Sequence, residues 1–166
     1  MSLLTELNSS KATRLYELFE DAAQEYGVPV EYILAVASRE TNMRNILGDG
    51  GHGVGVMQID IRSHPVAATA KANGTWDTPA GTKKLIRYGV KLLRDLFVWA
   101  KTRYPMYGRP DGSGWRKIAA CAYNAGKGGA SRGIRDGDSD KYTTHGDYGS
   151  DVLARMQKFA DLLTDS

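Results

Sequence analysis

Residues 29–64 read PVEYILAVASRETNMRNILGDGGHGVGVMQIDIRSH. In the middle of this stretch, apolar residues at helical spacing give way to a segment rich in glycine. In its first part, steps of three and four residues separate Ile33, Val36, Ala37 and Glu40, so these side chains share one side of a helix. From residue 42 to 64 the helical period is lost and glycine occurs at 48, 50, 51, 53 and 55. This second part predicts turns and a short β-hairpin directly after a helix that ends in a carboxylate.

Helical patterns recur on both sides of this stretch. Pro29 begins the helix already described, and apolar spacing with capping residues predicts four more. These run from Ser9 or Ser10 to Gly27, from Thr78-Pro79 to just before Pro105, from Trp115 to Asn124-Ala125-Gly126, and from Asp147 or Ser150 to about Leu163, with a loop rich in Gly, Asp and Ser before the last. We therefore expect a predominantly helical α+β protein, with residues 1–10 as a tail or short cover and residues 11–166 as a single domain.

Length and composition exclude several classes of protein. A chain of 166 residues that is 42% hydrophobic and 25% charged is typical of one soluble domain. It has no apolar run of membrane-spanning length, and its start has no pattern of a signal peptide. The net charge of +3 is too small to indicate a nucleic-acid partner, and the single Cys121 cannot form an internal disulfide, which leaves the compartment open.

Three carboxylates are candidates for catalysis. Cleavage of a glycosidic bond requires one acid that stays protonated and a second carboxylate that attacks or deprotonates water. Glu40 ends an apolar stripe, where burial would raise its pKa, while Asp49 and Asp60 lie in the glycine-bearing segment that follows. Each also has a plainer explanation, as a charge at a helix end, a turn residue or a strand-end charge. The local sequence alone leaves this choice open.

Five blocks, in this order, resemble goose-type lysozymes from about Tyr26 to Lys158. The blocks are Ala37-Ser38-Arg39-Glu40, then Gly48-Asp49-Gly50, then Gly55-Val56-Met57-Gln58-Ile59-Asp60 with Arg62-Ser63-His64, then Ala122-Tyr123-Asn124-Ala125-Gly126, and finally Thr143-Thr144-His145 through Asp147-Tyr148 to Asp151-Val152. The sequence departs from that family in lacking the cysteines of its bird members and in a shorter connection from Glu40 to Asp49. Asp49 is therefore a less secure assignment than Asp60.

The resemblance implies a lysozyme-like fold with the hairpin beside an active-site cleft. It implies a muramidase that hydrolyses the β-1,4 bond between N-acetylmuramic acid and N-acetylglucosamine with inversion, and without a metal or other cofactor. Glu40 would be the general acid, while Asp60 and Asp49 would position and activate water. The substrate-binding residues would be Gln58, His64, Tyr123, Asn124 and Tyr148.

The expected partner is bacterial peptidoglycan, bound through its glycan chains outside the cytoplasm after secretion or phage delivery. An inhibitor or immunity protein is left open as a second partner. We expect a monomer that binds neither nucleic acid nor a membrane.

Two rival functions stay open. A lytic transglycosylase resembles this chain in its Glu-bearing helix and in the Gly-x-Met-Gln-like and Ala-Tyr-Asn-Ala-Gly blocks. Its single acid needs no carboxylate opposite, however, so Asp49 and Asp60 favour hydrolysis. A wall-binding or inhibitor-binding module would keep the fold without the chemistry.

Other kinds of site are not predicted. His52, His64 and His145 accompany the aspartates, but no His-x-x-x-His spacing indicates a metal site. The glycine-rich runs complete no phosphate-binding pattern. No Gly-x-Ser-x-Gly occurs, and Cys121 lies on the apolar side of a predicted helix, so a nucleophilic triad is not indicated either.

Overall fold

The computed structural model describes residues 1–165 and is predominantly helical with one small sheet, the α+β class that the sequence predicts. The seven α-helices of this part of the chain are α1 (Leu3–Ala12), α2 (Leu15–Tyr26), α3 (Val30–Thr41), α4 (Pro65–Ala72), α5 (Pro79–Arg103), α6 (Ser113–Arg135) and α7 (Tyr148–Thr164). The strands are β1 (Leu47–Gly48), β2 (Gly53–Val54) and β3 (Ile59–Asp60), and short 3-10 turns occur at Asp49–Gly51, Pro105–Tyr107 and Thr144–Gly146.

Backbone contacts divide the chain into two compact units, Met1–Lys91 and a second unit that begins at Leu92. The helix α5 starts in the first unit and ends in the second. None of the helices within residues 1–165 has the length and apolar character needed to cross a membrane. One domain over residues 11–166 stays a prediction.

Two helices of the first unit differ from the predicted pattern. Residues 1–10, expected as a tail or short cover, lie mostly in α1, whose Leu7 and Ser10 side chains are buried. Ser2 caps this helix, since its Oγ accepts a hydrogen bond from the Thr5 N–H at 3.2 Å. The helix α4 has Pro65 in its first turn and only eight residues, too few for the apolar period to reveal it.

The predicted hairpin is a three-stranded antiparallel sheet in the order β1-β2-β3. Gln58, at φ +52°, holds it together: its Nε2 donates to the carbonyl oxygens of Ile46 at 3.1 Å and Gly55 at 2.8 Å. The Gln58 side chain lies against Gly48 and Gly53, and a Cβ on either glycine would overlap its Oε1. These two glycines are therefore required by the space that Gln58 occupies.

The N-terminal half of α5 packs on this sheet. A Cβ added to Gly89 would lie 2.8 Å from Sδ of Met57 and 3.2 Å from Cδ1 of Ile59, so the missing side chain allows a close approach. Asn45 ties the segment before β1 to the same helix, since its Nδ2 donates to Oγ1 of Thr82 at 3.1 Å. Its Oδ1 accepts from the Val56 N–H at 3.1 Å. The sheet is thus fixed from the α5 side and from the chain that leads into it.

In the second unit, α6 confirms one part of the prediction and contradicts another. Gly126 adopts φ 76° and ψ 162°, which interrupts the helix at the predicted Asn124-Ala125-Gly126 stop. The helix then resumes to Arg135, so the loop expected directly after Gly126 is wrong. Glycine is a poor helix former, but tertiary packing selects it here, because a Cβ on Gly133 would meet the carbonyl oxygen of Asp138.

We expect Gly53→Ala to lower the free energy of unfolding by about 1–3 kcal/mol, the usual cost of forcing an extra carbon into a packed site. The new Cβ would displace Gln58 from its two main-chain hydrogen bonds. Chemical denaturation measures the effect.

Gly128→Ala is the matched control, because only the Arg132 guanidinium lies within reach of its Cβ, at 3.6 Å. This change should leave stability unchanged or raise it. In a Gln58→Ala background the cost of Gly53→Ala should largely disappear, and an undiminished cost there would contradict the role assigned to Gln58.

Candidate active site

Glu40 is the next-to-last residue of α3, and it is half-buried. The residues that precede it from Tyr32 to Ser38 are all buried. The helix ends with Asn42 in the left-handed conformation, where the Met43 N–H donates back to the carbonyl oxygen of Ala37 at 3.4 Å. The carboxyl group therefore stands at the end of a rigid, buried helix.

A buried hydrogen bond ties this helix end to the sheet. Oγ1 of Thr41, the residue after Glu40, donates to the carbonyl oxygen of Val56 at 2.9 Å. Thr41 is only 3% exposed, and Val56 belongs to the connection between β2 and β3. The end of the helix that carries Glu40 is therefore held next to the segment that leads to Asp60.

Arg62 brings the two predicted aspartates together. Its Nη2 donates to Oδ2 of Asp60 at 2.6 Å and to Oδ2 of Asp49 at 2.8 Å, while its Nε donates to Oδ1 of Asp60 at 2.9 Å. The backbone N–H of Arg62 adds a fourth bond, to Oδ1 of Asp60 at 2.8 Å. Asp49 uses a single oxygen for this contact, whereas both oxygens of Asp60 are engaged.

The guanidinium stabilises the charged form of Asp60. The hydrogen bonds from Arg62, opposed in part by burial, hold the pKa of Asp60 below its usual range. The side chain of Asp60 is 35% exposed and that of Asp49 is 67% exposed. Asp60 is therefore ionised at neutral pH, in a partly enclosed position.

The backbone around the aspartates is strained. Of six non-glycine residues with positive φ in the described chain, four lie between α3 and β3: Asn42, Met43, Asp49 and Gln58. Such conformations persist where the surrounding structure holds them, and they cluster at functional sites. Here Nζ of Lys71 donates to the carbonyl oxygen of Gly51 at 2.6 Å and helps to hold the turn that carries Asp49.

The histidines of the first unit are engaged with protein groups. His64 shares a hydrogen bond of 2.8 Å with the Tyr88 hydroxyl through Nδ1, and burial lowers its pKa despite the opposing charge of Asp60. His52 lies with Nδ1 2.8 Å from the carbonyl oxygen of Asp49. Within residues 1–165, no three His, Cys, Asp or Glu side chains form a group that could hold a metal ion.

The other predicted site residues lie in the second unit. Tyr123 and Asn124 are half-buried on α6, just before its interruption at Gly126. Asn124 is held at both ends of its amide by Thr144, which donates its N–H to Oδ1 at 2.8 Å and accepts from Nδ2 at 3.1 Å. Tyr148, the first residue of α7, is 1% exposed.

Cys121 is fully buried, and burial raises the pKa of its thiol to about 12, which excludes it as a nucleophile.

Two residues of this site, Arg62 and Thr41, were not among the predicted ones. The spacing of Arg62 two residues after Asp60 was visible, but such a pair is common on protein surfaces and does not indicate a bridge to Asp49. No local pattern marks Thr41, because its partner Val56 is fifteen residues away.

A half-buried carboxyl at the end of a helix, and two aspartates on a small sheet bonded to that helix end, are the residue types that a glycoside hydrolase uses as acid and base. Comparison with known proteins agrees. The sequence model of the family Lysozyme g matches residues 2–161 of this chain. The chain therefore belongs to the lysozyme g family, whose members are glycoside hydrolases.

Individual relatives support this membership. The chain is 36% identical to Lysozyme g of Gallus gallus over 131 residues, which are 76% of this chain and 54% of that protein. It is 30% identical to Lysozyme G of Dromaius novaehollandiae over 161 residues, 95% of this chain and 71% of that protein. With Lysozyme g of Casuarius casuarius the identity is 33% over 150 residues, 88% of this chain and 72% of that protein.

We expect Arg62→Gln to raise the pKa of Asp60 towards that of a free aspartate, because the positive charge and its hydrogen bonds are lost. Titration of the carboxyl carbon of Asp60 by NMR measures this. The sign also applies to stability: the contribution of the Asp60–Arg62 pair is present above the pKa of Asp60 in the unfolded chain and is lost as the pH falls through its lower pKa in the folded protein.

Arg87→Gln is the control, since Arg87 forms its ion pair with Glu25 instead. It should leave the Asp60 titration unchanged. An Asp60 midpoint that does not move in Arg62→Gln would contradict the assignment.

Proposed function

We propose that this protein hydrolyses the β-1,4 bond between N-acetylmuramic acid and N-acetylglucosamine in bacterial peptidoglycan, with inversion and without a metal ion. It would act as a monomer on the cell wall, outside the cytoplasm. The observation that carries the proposal is the bridge that Arg62 makes between Asp49 and Asp60, beside the helix end that presents Glu40. Membership of the lysozyme g family supports the substrate class.

Glu40 is the general acid of this proposal and protonates the oxygen of the leaving sugar. Partial burial disfavours a charged carboxylate. The position at the carboxyl end of α3 acts in the same direction, because the negative end of the helix dipole repels an anion. Both effects favour the protonated form that an acid catalyst needs.

Asp60 and Asp49 act on the opposite face of the sugar ring. An aspartate whose charge is stabilised by a guanidinium is a weak base, so its main contribution is to orient the attacking water and to stabilise the positive charge that develops at the anomeric carbon. Asp49 commits one oxygen to Arg62, which leaves the other for water. Arg62 thus sets the distance between the two carboxylates.

The five predicted substrate-binding residues divide into two groups. His64, Tyr123 and Asn124 are half-buried and keep some surface for the glycan. Tyr148 is 1% exposed, and the Gln58 amide nitrogen is taken up by two backbone carbonyls. We therefore assign Gln58 and Tyr148 to positioning the site, and the other three to sugar contact.

Glu40→Gln should lower the rate of peptidoglycan cleavage by a factor of about 10²–10⁴, the usual contribution of a positioned general acid. Binding to isolated cell walls should persist, because glutamine keeps the shape of the side chain. Turbidity clearing and a wall sedimentation assay measure the two effects.

The matched control is Glu31→Gln, in the first turn of the same helix, which should clear walls at the wild-type rate. Undiminished clearing by Glu40→Gln would refute the assignment of the acid. A wild-type protein that binds walls but never cleaves them would instead indicate a binding module.

Product analysis tests the water-dependent route. In excess chelator, a soluble glycan oligomer should be cleaved at the full rate, and NMR should detect the α-anomer first, because inversion converts the β bond. Mass spectrometry of digested walls should show reducing muramic acid ends. Anhydromuramyl ends alone would establish a transglycosylase, and loss of activity in chelator would show a metal requirement.

A further inference from the structure

Asp140, in the loop between α6 and α7, is a carboxylate with 1% exposure that no step of the proposed reaction uses. Its Oδ1 accepts from the Gly149 N–H at 2.6 Å, and its Oδ2 accepts from the N–H and Oγ of Ser150 at 3.0 and 2.8 Å. Burying a charge is costly unless hydrogen bonds compensate for the lost water. The hydrogen bonds that compensate for the burial of Asp140 also show which segments this side chain holds in place.

The first task is to cap α7 from a distance. The residue at the N-cap position, Asp147, makes no side-chain capping hydrogen bond to the helix. Gly149 and Ser150 are in the first turn, where backbone N–H groups have no partner inside a helix. Asp140 accepts both N–H groups and places a negative charge at the positive end of the helix dipole. The start of α7, and with it Tyr148, is therefore located by a residue eight positions earlier.

The second task is to hold the loop that contacts Asn124. Oγ1 of Thr143 donates to the carbonyl oxygen of Asp140 at 2.8 Å, lies 3.1 Å from its Oδ1, and accepts from the Tyr148 N–H at 3.2 Å. The next residue, Thr144, makes both hydrogen bonds to the Asn124 amide. Asp140 is thus linked to a predicted sugar-contacting side chain through hydrogen bonds to Thr143, the backbone from Thr143 to Thr144, and hydrogen bonds from Thr144 to Asn124.

The same carboxylate is anchored to α6. Sγ of Cys121 donates to Oδ1 of Asp140 at 3.3 Å, and Nζ of Lys117 lies 3.8 Å from Oδ2. A Cβ on Gly149 would meet Sγ of Cys121, so the missing side chain allows the start of α7 to approach α6 closely. Cys121 precedes Asn124 by one turn of helix. One buried carboxylate therefore contacts the loop, the start of α7 and the turn of α6 that precedes Asn124.

That charge is stable over the working range of pH. Burial alone would raise the pKa of Asp140, but the hydrogen bonds from Gly149 and Ser150 outweigh it and hold the pKa below its usual value.

We propose that Asp140 is a positioning residue for substrate binding: by capping α7 and holding Thr143, it sets the orientation of Asn124 and Tyr148. This inference rests on the proposed function for the contact of Asn124 with peptidoglycan. The placement of Asn124 itself can be observed without any reaction.

Asp140→Asn tests the proposal, because one carboxylate oxygen becomes an NH₂ group, which cannot accept a hydrogen bond. In one orientation of the amide, this NH₂ faces the N–H and Oγ of Ser150. In the other, it faces the Gly149 N–H and the Cys121 thiol. On a soluble muropeptide oligomer, KM should rise about tenfold, a size expected when hydrogen bonds to a charged group that position a binding wall are lost, while kcat stays within about twofold. The NMR signals of the Asn124 side-chain amide and the Thr144 N–H should shift, with faster hydrogen exchange.

Asp161→Asn is the matched control, the same chemical change on an exposed turn near the other end of α7, and should alter neither KM nor the Asn124 signals. If Asp140→Asn does not fold, Ser150→Ala replaces it, since this change removes one bond to Oδ2 and should raise KM by a smaller factor.

The outcomes separate the two proposals. A folded Asp140→Asn, or Ser150→Ala in its place, with wild-type KM and unmoved Asn124 signals overturns the positioning role, and so does a fall in kcat with KM unchanged. If the wild-type protein cleaves no oligomer, the proposed function fails, whereas the Asn124 signals still decide whether Asp140 sets that side chain.

Discussion

The hydrogen bond from Thr41 to the carbonyl oxygen of Val56 is the contact on which the arrangement of the first unit depends. A helix and a two-residue-per-strand sheet have little surface of their own with which to fix each other. The bond is buried, so breaking it would deprive the Val56 carbonyl oxygen of this donor away from water. Because Thr41 follows Glu40 directly, the same bond locates the proposed acid relative to the strand that carries Asp60.

Arg62 gives that strand its electrostatic character. Two carboxylates near one another repel, and without a cation one of them would tend to keep a proton. A guanidinium bonded to both offsets the repulsion, and its hydrogen bonds lower the pKa of Asp60, which makes Asp60 a weaker base. In the proposed reaction, the carboxyl at the helix end donates the proton and the two aspartates held by the arginine stabilise the developing charge, the two roles that hydrolysis of a glycosidic bond needs.

In the second unit, too, a polar side chain bonds to the backbone of a neighbouring segment. Asp140 acts on α7 as Gln58 acts on the sheet, because in each case one polar side chain bonds to two backbone groups of a neighbouring segment. Gly53 lies against Gln58, and Gly149 lies beside Cys121 on the side of α7 that Asp140 caps. These glycines are present because neighbouring atoms occupy the space of a side chain.

Much of the fold could be predicted from the order of residues alone. The length of α5, the end of α2 at Gly27, the helix that carries Glu40 and the change to a glycine-bearing sheet follow from apolar period, capping and turn chemistry, which are local properties. The sequence also supplied the three acidic residues of the proposed site, because the blocks that contain them are contiguous; their catalytic roles stay a prediction. The helices α1 and α4 and the second half of α6 were missed, since their patterns are short or rich in glycine and packing overrides weak local preference.

Only the tertiary structure decided which of these residues act together. The bridge from Arg62 to Asp49 spans thirteen residues, the bond from Thr41 to Val56 fifteen, and the pair formed by Asn124 and Thr144 twenty. It also showed that Tyr148 is buried and that the Gln58 amide nitrogen bonds to two backbone carbonyls, neither of which the sequence indicated. The physical reason is that a motif specifies which groups are present, while burial and hydrogen-bond partners depend on how distant segments pack.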